Sequence, residues 1–305
     1  MALLRRMRIC LCLIGVALCI ACGQPTRSNP MNTPVPIPPS PVPTAVGTPV
    51  GPLPSTDAPP TPALLYRNPG TQELLVVRGS DERIIATDLP VVALAIAPDG
   101  TQIAVRTEDN QLVLYEWQRG LRHEIMAHCD SMTWADDSQS LYCSRLGNLY
   151  QLSADGSRDV LIAPAGVDSD YQELAWRPHS QQLWFSMREG DAVRMCAKTI
   201  QQSNLICIDD GAHPAWSGSG DWFAYQRDNQ LIVQHADASQ RQIIQTGHDV
   251  ALAMYWVGDS TLVLVHGEEI SQFQRDDGQI RASPLRRSGW VLVGVMPLVT
   301  QLSSP

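Results

Sequence analysis

The chain has 305 residues, 44% of them hydrophobic, which is enough to bury a sizeable core. It carries 31 acidic residues against 22 basic ones, a formal net charge of -9. That sign, with no basic stripe, excludes the electrostatic footprint of a nucleic-acid binder.

Arg5, Arg6 and Arg8 precede an apolar run from Ile9 to Ile20, which ends at Ala21-Cys22-Gly23. A basic flank, a short apolar stretch and small residues make a secretory signal, and the run is too short to span a bilayer comfortably. The segment "LCIAC" resembles a bacterial lipobox, with Cys19 where leucine is commonest. The resemblance implies cleavage before Cys22 and lipidation of that residue, hence an extracytoplasmic protein anchored to a membrane; Cys10, Cys12 and Cys19 would leave with the signal.

Residues 25–62 hold 14 of the 23 prolines and only two charges, Arg27 and Asp57. Such a stretch cannot bury enough apolar surface to fold, and proline biases it toward extended geometry. It is expected to act as a tether reaching on the order of 100 Å, at about 3.1 Å per residue. Beyond it the balance is 18 basic to 30 acidic residues. Lysine occurs once, at Lys198.

The stretch "LAIAPDGTQIAV", residues 94–105, reads as a strand, a Pro-Asp-Gly turn and a second strand. Degraded copies follow as "MTWADDSQSLYC", "LAWRPHSQQLWF", "PAWSGSGDWFAY" and "MYWVGDSTLVLV". Aligning them brings Ile96, Trp134, Trp176, Trp216 and Trp256 together, at spacings of 38, 42, 40 and 40 residues. Each hairpin is followed by another strand, a polar turn and a fourth strand, as in "QLIVQHADAS" then "RQIIQ". Four short strands per repeat of about 40 residues are the signature of propeller blades.

The ends complement each other. "ALLYRNPGTQELLVVRGSDERIIAT" supplies three strands without an inner one, and "GWVLVGVMP" supplies an inner strand without partners. Joining them predicts an all-β, six-bladed propeller closed by a blade shared between the two ends, which removes the open sheet edges. The expected organisation is signal peptide 1–22, tether 23–62, propeller 63–299 and tail 300–305, the propeller being monomeric. Beside each aligned anchor sit Ala95, Thr133, Ala175, Ala215, Tyr255 and Gly294, mostly small. Strand alternation then predicts that the tryptophans fill the gaps between blades while the small residues admit the neighbouring blade.

The block "APDGTQIAV" resembles the W-S-P-D-G-x-x-I/L-A-F element of TolB-type (PD40, WD40-like) repeats, and the resemblance covers roughly residues 62–297. Only the first copy keeps Pro-Asp-Gly. The family implies a propeller on an envelope protein. TolB itself carries a further α/β domain before its propeller, where this chain has the proline-rich stretch, so the family's partner is not carried over.

No G-x-S-x-G elbow, Walker-type loop or His-x-x-x-His spacing occurs; "SGSG" at 217–220 is a repeat turn. The composition therefore favours a non-catalytic module binding a protein, peptide or glycan in the envelope. The alternative is a lyase or glycosidase working at the propeller mouth through paired carboxylates. No cofactor is expected, and a metal is left open.

Two disulfides are candidates, Cys196–Cys207 on consecutive strands and Cys129–Cys143 around the "WADDS" turn. The loops entering the inner strands carry Asp88, His128 with Asp130, Asp168 with Asp170, Asp209 with Asp210 and His213, and His248 with Asp249; the sixth has Arg286 and Arg287. Loops joining second and third strands add Glu108, Asp109, Glu189, Asp191, Asp228, Glu268 and Glu269, with Arg145, Arg188 and Arg227 between them. Converging carboxylates would focus a negative potential on the channel mouth, suiting a basic partner segment or calcium. Ordinary polar loops would also collect aspartate.

Overall fold

Strands of alternating pattern joined by tight turns pair with their sequence neighbours, so each repeat closes into one antiparallel sheet. In the computed structural model the described residues are 62–86, 90–125, 128–166, 169–246, 253–267 and 269–296. Cys22 and the proline-rich stretch lie outside them.

Blade 1 comprises β4 (Val91–Ile96), β5 (Ile103–Thr107), β6 (Leu112–Glu116) and β7 (Leu121–Ile125). Blade 2 follows with β8 (Ser131–Trp134), β9 (Ser140–Arg145), β10 (Asn148–Ser153) and β11 (Asp159–Ala163). Blade 3 has the longest strands: β12 (Ser169–Trp176), β13 (Gln182–Glu189), β14 (Ala192–Thr199) and β15 (Leu205–Asp210). Blade 4 is β16 (Ala212–Trp216), β17 (Trp222–Arg227), β18 (Gln230–His235) and β19 (Arg241–Gln245), and blade 5 is β20 (Ala253–Val257), β21 (Thr261–His266), β22 (Glu269–Gln274) and β23 (Gln279–Ala282).

The sixth blade is shared. β24 (Val291–Met296) pairs antiparallel with β1 (Ala63–Arg67), Leu64 opposite Val295, and β2 (Leu74–Arg78) and β3 (Asp81–Ala86) complete the sheet. The inner strands touch in the cyclic order β4, β8, β12, β16, β20, β24 and back to β4, so the ring is closed.

Packing between blades follows the large and small positions of the repeat. Trp134 is 3% exposed and its Nε1 donates to the Ala95 carbonyl at 3.1 Å; Trp256 does the same to Ala215 at 3.2 Å. At Gly294 a Cβ would lie 2.8 Å from Ile96 Cδ1 and 3.1 Å from Leu94 Cδ1, so a larger residue there would make these blade 1 side chains shift. Tyr255 breaks the small-residue rule, and its hydroxyl reaches across to the Val293 carbonyl at 2.8 Å. Trp176 and Trp216 make no such bond among the described residues, and Trp176 stacks on Tyr142, with ring centroids 5.2 Å apart.

The turns linking first and second strands do more than reverse the chain. Asp99 N donates to Ser138 Oγ at 3.0 Å, His179 N to Asp136 Oδ2 at 2.6 Å, and Ser219 N to Asp259 Oδ1 at 3.2 Å. Each bond spans about one repeat, so turn residues that look interchangeable in sequence stitch neighbouring blades together. Cys196 and Cys207 are direct cross-strand partners and form a disulfide, as do Cys129 and Cys143.

Candidate functional site: the channel mouth

All six inner strands start at the face that carries the loops entering them. Their first residues enclose a cavity of about 470 Å3, to which Val91–Leu94, Asp130–Met132, Glu173, His213, Ala253–Tyr255 and Val291–Val293 contribute, with Arg67 from β1. This is the mouth of the central channel.

Two irregularities aim side chains into it. The β12–β13 register shifts between Gln172 and Ala175, and the β16–β17 register shifts between Ala212 and Ala215. Such bulges re-aim one side chain, and Pro214, which has no N–H to give a ladder, favours the second. Glu173 and His213 sit at these bulges with φ of 44° and 56°.

They meet across the blade boundary. His213 Nδ1 lies 3.0 Å from Glu173 Oε1, while Glu173 Oε2 accepts from the His213 backbone N–H at 2.7 Å and from Ser186 Oγ at 2.9 Å. A carboxylate only accepts, so Nδ1 carries a proton and Nε2 is left for whatever enters the cavity. Burial works against ionisation of Glu173, but the bonds and charge of His213, with the Ser186 hydroxyl, outweigh it and hold the carboxyl below its usual range.

A group whose folded pKa is depressed stabilises the fold above its unfolded value, near 4.5, and loses that contribution as pH falls through the folded value. Glu173→Gln should therefore cost about 1–3 kcal/mol at neutral pH, because it strips a half-buried acceptor of its charge. The gap to the parent should be narrower at acid pH, below the group's depressed folded value. Urea denaturation at both pH values checks this; an equal gap at both would show that the ionised carboxylate contributes nothing.

Arg67 adds the opposite charge to the wall. Its guanidinium donates to the Val91 carbonyl, and among the described residues its Nε has no partner.

The residues expected at the mouth do not gather in one place. Asp130 lines the mouth, its Oδ2 accepting from Leu146 N at 3.1 Å, and Asp170 packs on the adjacent turn at Gly147, where a Cβ would be 2.5 Å from Oδ1. The tight turn they hold carries Leu146 at φ 50° and leaves it 86% exposed at the rim. Asp210 lines a separate cavity of about 380 Å3 with Asp191 and Asp228, between blades 3 and 4.

Asp209 is placed otherwise. It faces blade 4, where Tyr225 Oη donates at 2.8 Å, Arg241 Nη2 at 2.7 Å and Arg227 Nη1 at 3.1 Å. Burial opposes its ionisation, but these donors outweigh it and hold the carboxyl below its usual value. A β15 residue facing the next blade clamps two blades and does not serve the channel. Asp88, Asp168, His248, Asp249 and Glu268 lie outside the described residues.

Arg67 apart, three arginines of this face turn outward. Arg145 pairs with Asp159 at 3.0 Å, Arg227 with Asp209 at 3.1 Å and Arg287 with Glu82 at 2.7 Å, all three carboxylates lying on outer strands. Asp130, Asp170, Asp210 and Asp228 consequently have no ion pair among the described residues, and the rim stays negative. Among those residues no three His, Cys, Asp or Glu side chains converge closely enough to hold a metal ion, so a calcium cage finds no support there.

Sequence reasoning missed Glu173, Ser186 and Arg67. "DYQEL" reads as ordinary strand alternation, and nothing in it marks the bulge that turns Glu173 toward His213.

Neither a family model nor a curated protein matches the sequence. Solved structures do. TolB from Acinetobacter baumannii superposes with a TM-score of 0.59 at 16% identity, covering 78% of this chain and 65% of that one. A TolB-type protein from Agrobacterium tumefaciens gives 0.53 at 14% identity, over 74% and 89%. The chain has the fold of the TolB propellers. A chain from a nidogen/laminin complex fits comparably, with a TM-score of 0.62 at 10% identity over 77% of this chain and 97% of that one. At such identities the likeness of this propeller to its neighbours is one of fold, and its chemistry rests on its own residues.

Proposed function

We propose that the chain is a non-catalytic, extracytoplasmic interaction module, tethered to a membrane through lipidated Cys22 and the proline-rich stretch, whose channel mouth docks a basic segment of an envelope protein. The observation that carries this reading is the cavity at the mouth, lined by Asp130, which has no ion pair among the described residues, with Asp170 packed on the adjacent turn at Gly147, while Arg145, Arg227 and Arg287 pair with carboxylates on outer strands. A rim of one sign steers and retains a partner of the other. His213 Nε2, the ring nitrogen not turned to Glu173, adds a polar site for an entering group. Two disulfides suit an oxidising compartment, and propellers in the set of similar folds come from a nidogen/laminin complex and from TolB proteins.

The test places a photoreactive residue at exposed position 146 in intact cells. One stoichiometric envelope protein should be trapped, and replacing Asp130, Asp170 and Asp210 together by Asn should cut its yield by about tenfold, the effect of roughly 1.4 kcal/mol. Equal trapping by the variant would refute docking through the acidic rim. In the same cells Cys22→Ser should leave uncleaved or released protein, and unchanged membrane retention and size would refute the anchor.

A second reading, a mouth enzyme of lyase or glycosidase type, draws on one observation, the carboxylate-oriented imidazole of His213 in the cavity wall. Turnover of a glycan panel that is lost in Glu173→Gln would establish it.

A further inference from the structure

The chain's single lysine lies between blades 2 and 3 and is not among the described residues that line the mouth. Lys198 is 8% exposed. Its Nζ donates to the Gln202 carbonyl at 2.7 Å, capping the β14–β15 turn. No ion pair reaches it among the described residues. Burying an ammonium costs several kcal/mol, and buried charges are normally matched by an opposite one. A single backbone carbonyl satisfies one of its three N–H donors and supplies no charge.

Lys198 borders a cavity of about 430 Å3 whose other walls are Ile162, Ala163 and Pro164 at the end of β11, Tyr171, and Ile200 and Leu205 with the polar Gln201, Gln202 and Ser203 around the turn. Among the described residues no Asp or Glu lines it. Leu205 is 41% exposed there, apolar surface that an occupant would cover. One cation beside Ile162, Ile200 and Leu205, with neutral polar groups from the turn, suits a small ligand in which a few polar groups orient an apolar body.

We infer that this flank cavity binds a small carboxylate on an apolar body, aliphatic or aromatic, with the Lys198 ammonium receiving the carboxylate and Ile162, Ile200 and Leu205 holding the rest. The pocket is independent of the mouth, and it stands whether or not the mouth docks a basic partner.

The lone lysine makes the test specific. Full-length protein grown with 13C,15N-lysine carries a single labelled residue, and its Cε–Hε signal is followed during titration with benzoate and, separately, hexanoate. Saturable movement with a Kd of about 1 mM or below is expected for at least one of them. Benzyl alcohol and benzylamine, of the same shape but without the negative charge, should bind at least about tenfold more weakly. Lys198→Met should abolish the calorimetric signal for either acid; if that variant does not fold, the titration of the labelled parent decides alone. No saturable shift with either acid up to about 10 mM, equal affinity for the alcohol, or undiminished binding by folded K198M would overturn the inference.

Discussion

Removing residues 290–305 is expected to unfold the whole propeller. β24 is the inner strand of the shared blade, pairing with β1 and touching β20 and β4. It buries Leu292 and Met296 at 1% exposure each. Two fully buried side chains are worth about 3–6 kcal/mol by area alone. The ladder to β1 goes with them, and β1 is left as an open apolar edge. That loss is comparable with the whole stability of an ordinary domain, about 5–15 kcal/mol. A closed ring has no terminal repeat to fray first, so the loss is felt by every blade. Thermal melting followed by circular dichroism should show no cooperative transition in the truncated protein, and a transition at the parent's midpoint would mean that the ring does not depend on its closing strand.

The second large effect is at Gly220, in the β16–β17 turn. Its φ is +75°, and a Cβ would stand 2.5 Å from the carbonyl oxygen of Pro178 in the turn of the preceding blade. The same glycine's carbonyl accepts from Arg177 Nε at 3.1 Å, and the Arg177 guanidinium lies 4.8 Å from the Trp216 ring centre. An added methyl would therefore strain its own backbone and push two blades apart where they are bonded. Gly220→Ala should cost about 2–4 kcal/mol. Gly190 provides the control: its φ is +61°, and nothing lies within 4 Å of its Cβ position. Gly190→Ala should cost only the backbone term, about 1–2 kcal/mol. Equal denaturation midpoints for the two variants would show that the approach of the blades at Gly220 carries no energy.

Gly220 also marks where sequence reading stops. "SGSG" announces a turn, and turn chemistry is local, so it can be read from the residues. What the turn touches is 42 residues away, at Pro178, and no local pattern reports it. The serines and aspartates of the other turns behave alike: each is legible as a turn former, while its bond to the next blade is not.

The residues alone determined the number of blades, the strands of each and the shared closing blade, because a repeat of about 40 residues with alternating strands has one way to bury both faces and pair its ends. They also marked Cys196 and Cys207, which follow from the β14–β15 register, whereas Cys129 precedes β8 and reaches Cys143 from outside the ladder. The site was decided by tertiary structure. Loops rich in aspartate located the mouth, yet whether a given carboxylate faces the channel depends on strand phase and on which blade lies behind it. Asp209 turned to Tyr225, Arg227 and Arg241, and Glu173 turned inward to His213 through a bulge. A one-residue shift in register moves a side chain to the opposite face, and such shifts are set by the neighbouring blade, which the order of residues along one strand does not contain.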